Sequence, residues 1–230
     1  MQRESRSDLS SDIVDKIKAM IFSGELLPGQ QIRQEEFAEQ FGVSRTPLLH
    51  ALHVLKSEML VESFPNRGMF VRIVSLTELK DIFEYREAIE SMACRLAGQK
   101  IGPKEVKMLR DLFKPFLKRP ELANLRDYQI ADQKFHRSLI EYSDNTMFPR
   151  MIRLGNLLLT AYQKGLVRPP AETLPEHLAI IKALENKDSR KAEECMRVHL
   201  NITVKLMYKA IQEETTLHTL TTTMKEIEYT

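Results

Sequence analysis

The feature that most constrains this chain is the stretch at residues 23–74, where two short helical patterns flank a tight turn. Gly42 can adopt the positive φ that ends the first helix, and Ser44 offers a hydroxyl as N-cap of the second. The second helix carries an apolar face at helical spacing, formed by Leu48, Leu49, Leu52 and Leu55. Two helices joined by so short a turn predict a helix-turn-helix unit.

A strand pair follows the second helix. Residues 60–64 and 69–73 alternate around Pro65 and Gly68, which indicates a β-hairpin. A further helix is predicted before the unit, at residues 9–22. Three helices and a two-stranded wing together predict a winged helix-turn-helix, in which the second helix of the unit enters the major groove of DNA.

The quoted segments also resemble a known family. PGxxI, EEFAEQFGVSRTPLLHALHVL and NRGMFV are similar to the DNA-binding domain of the GntR superfamily of bacterial regulators. The resemblance implies that the recognition helix begins at residues 44–46 and that the glycine of the wing lies at position 68. With the basic residues placed beside them, the predicted DNA-binding residues are Arg33, Ser44, Arg45, Thr46, Arg67 and Gly68.

Two positions depart from the family's pattern. Members usually carry Arg-Glu where this chain has Leu49-His50, and often a basic residue near Glu35. Residues 1–75 contain nine lysines and arginines against ten acidic residues, so the region has no overall positive charge to attract phosphates. DNA binding therefore depends on where the individual arginines lie, and the departures bear on affinity and on the operator sequence.

Composition sets the broad class of the protein. The chain has 230 residues, a net charge of +2 and two cysteines, Cys94 and Cys195, without a pairing pattern. This predicts a cytoplasmic protein with reduced thiols. No apolar run approaches the length of a membrane span, and no signal peptide is evident, so no membrane association is expected.

The remainder of the chain is predicted to be an all-α, six-helix antiparallel bundle. We place the DNA-binding domain at 1–74, the bundle at 75–213, and a flexible tail or short appended helix at 214–230. Thr77 is the expected N-cap of the first bundle helix, and Pro115 and Pro120 shorten the second. The expected helices are 78–100, one beginning at 103, 122–142, 147–164, 176–185 and 189–213.

Four residues of the bundle have the chemistry of metal ligands. Asp132 and His136 are four apart and therefore share one helix face, whereas His177 and His199 lie on later helices. Imidazole and carboxylate suit zinc, nickel, iron or manganese. Spacing alone is a weak signal, because such a pair is often a surface pair or a hydrogen-bonded core histidine.

A second resemblance strengthens the metal hypothesis. YREAIE, DQKFHRSL and EHLAIIKAL, together with His199, are similar to the FCD effector domain of GntR regulators, in its shorter, VanR-like subgroup. The resemblance implies a divalent metal, zinc by preference, at Asp132, His136, His177 and His199. It also implies a small carboxylate or sugar-acid effector held by Arg86, with Arg153 and Asn156 as further candidates. A buried pair of Arg86 with Glu90 is the alternative, and both roles can coexist.

Three functions follow from these observations. We favour a metal-containing, ligand-responsive transcriptional repressor that binds a palindromic operator as a homodimer. A metalloenzyme acting on an organic acid is the second, and it lacks an evident general base, since Glu176 adjoins His177 in sequence and its side chain is expected to point elsewhere. The third is a DNA-binding protein whose helical domain only dimerises. No enzymatic activity is predicted.

Overall fold

The computed structural model describes residues 6–152 and 167–228, with side chains at 9–152 and 167–213. In the described chain one compact unit ends at Val74 and a second begins at Ser75. None of the described helices combines the length and hydrophobicity that crossing a lipid bilayer requires.

The first unit is a winged helix-turn-helix. Its sheet has three strands in the order β1-β3-β2, all antiparallel. The predicted two-stranded wing is β2 and β3, and β1 adds a two-residue strand that was too short to show alternation in the sequence. The elements are α1 (Arg6–Ser23), β1 (Gln31–Ile32), α2 (Gln34–Phe41), α3 (Arg45–Ser57), β2 (Val61–Phe64) and β3 (Gly68–Val71).

The turn between α2 and α3 forms as predicted at Gly42 and differs at Ser44. Gly42 has φ 65°, and its N–H and that of Val43 bond to carbonyls in the last turn of α2. Ser44 takes the N-cap position of α3, but its side chain makes no capping hydrogen bond. The hydroxyl of this exposed residue therefore does not compensate the first N–H groups of α3, contrary to the sequence-based expectation.

The core of the first unit joins α1 to α3. Ile13 and Ile17 of α1 are fully buried, as are Leu48, Leu52 and Leu55 of α3. Since these apolar residues face inward, the opposite face of α3 and its first turn remain exposed, as a DNA-reading helix requires.

The second unit is entirely helical in its described part. It contains α4 (Leu76–Gly98), α5 (Pro103–Phe113), α6 (Leu125–Tyr142), α7 (described at 148–152), α8 (Pro170–Glu185) and α9 (Ser189–Glu228). Two short 3-10 turns, at Lys114–Phe116 and Pro120–Leu122, lie between α5 and α6. They contain Pro115 and Pro120, the two prolines that were expected to shorten the second helix of the bundle.

Several helix ends differ from the predictions, and three of the differences have an evident cause. Ser75, and not Thr77, caps α4, in a capping box with Glu78. Helix α8 begins six residues before 176, because Pro170 is at a first-turn position where a missing N–H costs no hydrogen bond. Helix α9 continues to Glu228 without the predicted end near Glu213, since no glycine or proline interrupts that segment.

Candidate metal centre and DNA-binding surface

The structure brings the four predicted metal ligands together. Asp132 and His136 project from α6, His177 from α8 and His199 from α9, and one donor atom from each lies within 4.8 Å of the others. The Asp132 Oδ1 atom is 3.3 Å from Nε2 of His177 and 3.8 Å from Nε2 of His136. Helices far apart in sequence therefore place three imidazoles and a carboxylate around one point.

Aromatic packing encloses the cluster on one side. His177 is fully buried, and its ring stacks on Phe113 with a centroid distance of 4.7 Å. Phe135 meets the same imidazole edge-on at 4.9 Å. The Asp132 side chain retains 22% of its exposure, so the cluster has a partly open side at the carboxylate.

Each histidine of the cluster makes a polar contact through its Nδ1 atom. His136 Nδ1 lies 2.5 Å from Oε2 of Glu90, and His199 Nδ1 lies 2.6 Å from Oε2 of Glu176. The third, His177, has its Nδ1 atom 3.2 Å from the hydroxyl of Tyr128. Contacts of this kind orient imidazoles so that Nε2 is the atom offered to a metal.

Two arginines fix the carboxylates that hold His136 and His199. Arg86 Nε donates to Oε1 of Glu90 at 2.5 Å, and this pair is buried. Arg168 donates to both oxygens of Glu176, at 2.5 and 2.8 Å. Two series of Arg–Glu–His contacts therefore support the cluster. One joins Arg86, Glu90 and His136, and the other joins Arg168, Glu176 and His199.

The charges of these groups follow from their surroundings. Burial alone would raise the pKa of Glu90, but Arg86 and His136 outweigh it and lower that pKa to about 2. Glu176 likewise has its pKa lowered to about 2, since His199 and Arg168 outweigh its burial. The histidines also outweigh burial at Asp132 and hold its pKa below the ordinary value. All three carboxylates are therefore ionised at neutral pH.

His177 and His199 are in the form that binds metals. Burial lowers the pKa values of His177 and His199, against the opposing effects of Asp132 and Glu176, so the neutral imidazoles predominate at pH 7. In the described part of the structure, the buried Nε2 atom of His177 has no hydrogen-bond partner. A buried polar atom without a partner, facing a carboxylate and two more imidazoles, fits a divalent cation.

The predicted effector residues are only partly within the described structure. Arg86 is buried, its guanidinium lies 5.1 Å from the centroid of the Phe83 ring, and it pairs with Glu90. The charge of Asp132 acts on Arg86 and helps to keep its pKa raised, although burial opposes this. Arg153 and Asn156 lie outside the described residues.

Sequence reasoning missed most of the groups that hold the histidines. Arg168 and Tyr128 carried no motif, and Glu176 was considered only as a neighbour of His177. As expected for adjacent helical residues, its carboxylate points away from His177, but it points toward His199 of the next helix. No sequence spacing joins Arg168 and Glu176 to His199, so no local signal marks this group of contacts.

The predicted DNA-binding residues lie at the start of α3 and in the wing. Ser44, Arg45 and Thr46 are exposed where α3 begins. In the wing, Gly68 has φ 94° and Arg67 packs its guanidinium over Phe64 and Phe70.

Two acidic residues of α2 contact predicted DNA-binding arginines. Arg45 Nη2 is 2.9 Å from Oε1 of Glu35, and Arg33 Nη1 is 2.9 Å from Oε1 of Glu36. Arg33 itself is exposed at the N-cap of α2. Arg33 and Arg45 are therefore paired with neighbouring carboxylates in the DNA-free protein.

Comparison with known families decides the class of protein. The profile described as "Bacterial regulatory proteins, gntR family" matches residues 9–71, and the profile described as "FCD domain" matches residues 81–202. The chain belongs to the GntR family of bacterial regulators that carry an FCD domain. This GntR protein is a DNA-binding transcriptional regulator, and the names of its relatives are those of regulators and not of enzymes.

Two relatives and one solved structure illustrate the similarity. The "Nta operon transcriptional regulator" of Aminobacter aminovorans is 33% identical over 136 residues, 58% of this chain and 63% of the relative's length. The "Probable D-xylose utilization operon transcriptional repressor" of Paenarthrobacter nicotinovorans is 29% identical over 201 residues, 86% of this chain and 88% of that protein. The structure of "E. coli McbR/YncC" has a TM-score of 0.67 at 22% identity, covering 88% of this chain and 98% of that one, and supports the fold.

Proposed function

We propose that this GntR regulator holds a divalent cation at Asp132, His136, His177 and His199 and responds to a small carboxylate that binds there. The observation that carries the proposal is the convergence of four donor atoms within 4.8 Å around a buried, unpartnered Nε2 atom. An isolated histidine in an apolar core would satisfy both ring nitrogens, whereas a metal ligand needs one of them free.

The residues themselves favour zinc among the candidate metals. Three imidazoles and one carboxylate form a set typical of zinc sites, and nickel, iron and manganese are the alternatives. A divalent ion bound there would supply coordination positions for oxygen atoms of the effector. The partly exposed Asp132 marks the side on which such a ligand would approach.

Arg86 is the described residue best suited to hold the effector's carboxylate. It lies in the field of Asp132 and contacts Glu90 through Nε, so its other guanidinium nitrogens could donate to a carboxylate. Pairing with Glu90 and effector binding are therefore compatible. Arg153 and Asn156 remain candidates on sequence grounds alone.

DNA binding would be performed by two copies of the chain. In each copy, residues 1–74 would read one half-site of the operator, and residues 75–213 would bind the effector and form the dimer. A palindromic operator has two-fold symmetry, which a symmetric dimer matches. We propose that the protein is a cytoplasmic repressor, a mode of action supported by the printed name of its Paenarthrobacter nicotinovorans relative. An effector can release the operator only if it binds one arrangement of the dimer better than the other.

Metal analysis of the full chain, purified without a histidine tag, tests the proposal. Native mass spectrometry should find two chains and one metal ion per chain. His177→Ala should lose most of the metal while keeping operator binding in a gel-shift titration. The control is His53→Ala, which removes an exposed imidazole of α3 and should leave metal content unchanged. Full metal occupancy in His177→Ala would refute the ligand assignment, and a metal-free wild-type protein would favour purely structural histidines.

A further inference from the structure

His177 is held differently from the other two histidines of the cluster. Carboxylates, which only accept hydrogen bonds, face Nδ1 of His136 and of His199, so both rings must carry a proton on Nδ1. The group that faces Nδ1 of His177 is the hydroxyl of Tyr128, which can donate as well as accept. The Tyr128 contact alone therefore does not determine which nitrogen of His177 carries the proton.

Two further contacts in series do determine it. The Tyr128 hydroxyl lies 2.9 Å from Oγ1 of Thr173, and Oγ1 of Thr173 lies 3.4 Å from the carbonyl oxygen of Pro169 at the N-cap of α8. A carbonyl only accepts, so the Thr173 hydroxyl donates to it and accepts from Tyr128. The single Tyr128 proton is then used, and its oxygen must accept from Nδ1–H of His177.

We propose that Tyr128 and Thr173 are positioning residues that hold His177 as the Nδ1–H tautomer and so keep its Nε2 lone pair directed at the metal cluster. The inference rests on the proposed function, because it assumes that the cluster receives a cation. It assigns a role to two residues that are not themselves among the predicted metal or effector ligands.

Because these hydrogen bonds are buried, the direction in which each one donates affects the tautomer of His177. Tyr128 and His177 are fully buried and Thr173 is 7% exposed, so water does not compete readily for these hydrogen bonds. Phe113 and Phe116 pack on the Tyr128 ring at centroid distances of 5.8 and 5.1 Å and hold its hydroxyl in place. The opposite tautomer would turn an Nε2–H group toward Asp132 Oδ1, which lies 3.3 Å away without forming a hydrogen bond of good geometry. The hydrogen bonds of Tyr128 and Thr173 must therefore outweigh that carboxylate in the metal-free protein.

Removal of the Thr173 hydroxyl should have a larger effect than removal of the Tyr128 hydroxyl. In Thr173→Val, a substitution of similar shape, the phenol has no acceptor left and turns its proton toward Nδ1 of His177. The imidazole must then carry its own proton on Nε2, which weakens metal binding because that proton has to move before Nε2 can coordinate. In Tyr128→Phe neither tautomer is enforced. The double variant should therefore resemble Tyr128→Phe and bind metal better than Thr173→Val alone.

The tautomer is measured directly on metal-free full-length protein with ¹⁵N-labelled histidine, from long-range ¹H–¹⁵N spectra at pH 8. The His177 signal is assigned by its absence in His177→Ala. We expect the Nδ1–H pattern in the wild type and the Nε2–H pattern in Thr173→Val. In competition titrations with a chelator, zinc affinity should fall about 10-fold in Thr173→Val, the low end of the roughly 10–100-fold loss typical of outer-shell variants. It should recover partly in the double variant.

Three results would overturn the inference: an Nε2–H pattern in the wild type, an unchanged pattern in Thr173→Val, or additive losses of zinc affinity in the double variant. Packing damage alone predicts additive losses, so partial recovery distinguishes the two explanations. If the tautomer depends on Thr173 but the wild type binds no zinc, the hydrogen-bond chain stands and the proposed metal function fails. Circular dichroism of each variant confirms that it is folded.

Discussion

At the scale of single residues, we propose that the exposed guanidinium of Arg45 reads DNA. It is the first residue of α3, and 65% of its side chain is exposed. We expect Arg45→Ala to weaken specific operator binding by about 1–3 kcal/mol, because a bidentate contact to a base edge would be lost. A gel-shift titration measures the effect, and unchanged affinity would remove Arg45 from the DNA-binding set.

The ion pair of Arg45 with Glu35 predicts a second effect on DNA binding. Operator DNA must compete with the Glu35 carboxylate for the same guanidinium, and this acidic side chain also repels phosphates. Glu35→Gln should therefore tighten operator binding by about 0.5–1 kcal/mol, the upper range for an exposed ion pair.

The matched control for this prediction is Glu39→Gln, an exposed residue of the same helix for which no contact with Arg45 is found. It changes the net charge equally. Fluorescence anisotropy with a labelled operator compares the two variants. Equal tightening in both would attribute the effect to overall charge and not to the release of Arg45.

Sequence reasoning found the cluster of one aspartate and three histidines, but it did not find most of the residues that hold the histidines in place. The spacing of Asp132 and His136 placed both on one face of α6, whereas His177 and His199 were added by resemblance to the FCD domain. Arg168, Glu176 and Tyr128 could not be found in this way. Their roles depend on contacts between different helices, and such contacts leave no local spacing in the sequence.

At the scale of elements, the sequence predicted which segments are helical better than it predicted where each helix begins and ends. The turn at Gly42 and the prolines near 115 and 120 act locally, and the structure follows them. The start of α8 was predicted too late, because Pro170 and Pro175 were treated as loop residues although a helix accommodates both. The end of α9 was predicted too early, because weak apolar periodicity was read as a stop.

The last residue of α4 gives a prediction at this scale. A Cβ at Gly98 would lie 3.1 Å from Cδ2 of Leu184 and 3.2 Å from the backbone Cα of Ser189. Gly98→Ala should destabilise the protein by about 1–2 kcal/mol despite the better helix propensity of alanine, because backbone atoms cannot move aside as side chains can.

Urea denaturation measures this change in the free energy of unfolding. Gln99→Ala, at the exposed neighbouring position, is the control and should change stability by no more than about 0.5 kcal/mol. Stabilisation by Gly98→Ala would show that the close approach of α4 to the α8–α9 turn is not tight in solution.

At the scale of the whole molecule, a bound cation should stabilise the native protein, since the unfolded chain does not assemble the four ligands. At a free zinc concentration about 100 times Kd, the expected gain is about 2.7 kcal/mol. Chelator-treated protein should therefore show a Tm that rises with added zinc, by roughly 2–4 °C per kcal/mol for a chain of this size.

Differential scanning calorimetry with stepwise addition of zinc measures that rise. His177→Ala should show little of it, because the variant lacks one of the four converging donors. An equal rise in the variant would assign the stabilisation to zinc bound elsewhere in the protein.

The buried pair of Arg86 and Glu90 restricts how the second unit can change over evolutionary time. Replacing either partner alone leaves the other without its charged partner in the interior, although Glu90 would keep its contact with His136. The cost is about 3–5 kcal/mol, a large part of the stability of a typical domain. Arg86 and Glu90 should therefore be replaced together in evolution. Related chains are expected to have either both residues or neither. Related chains that retain one member without the other would indicate that a different positive or negative group has taken the vacated place.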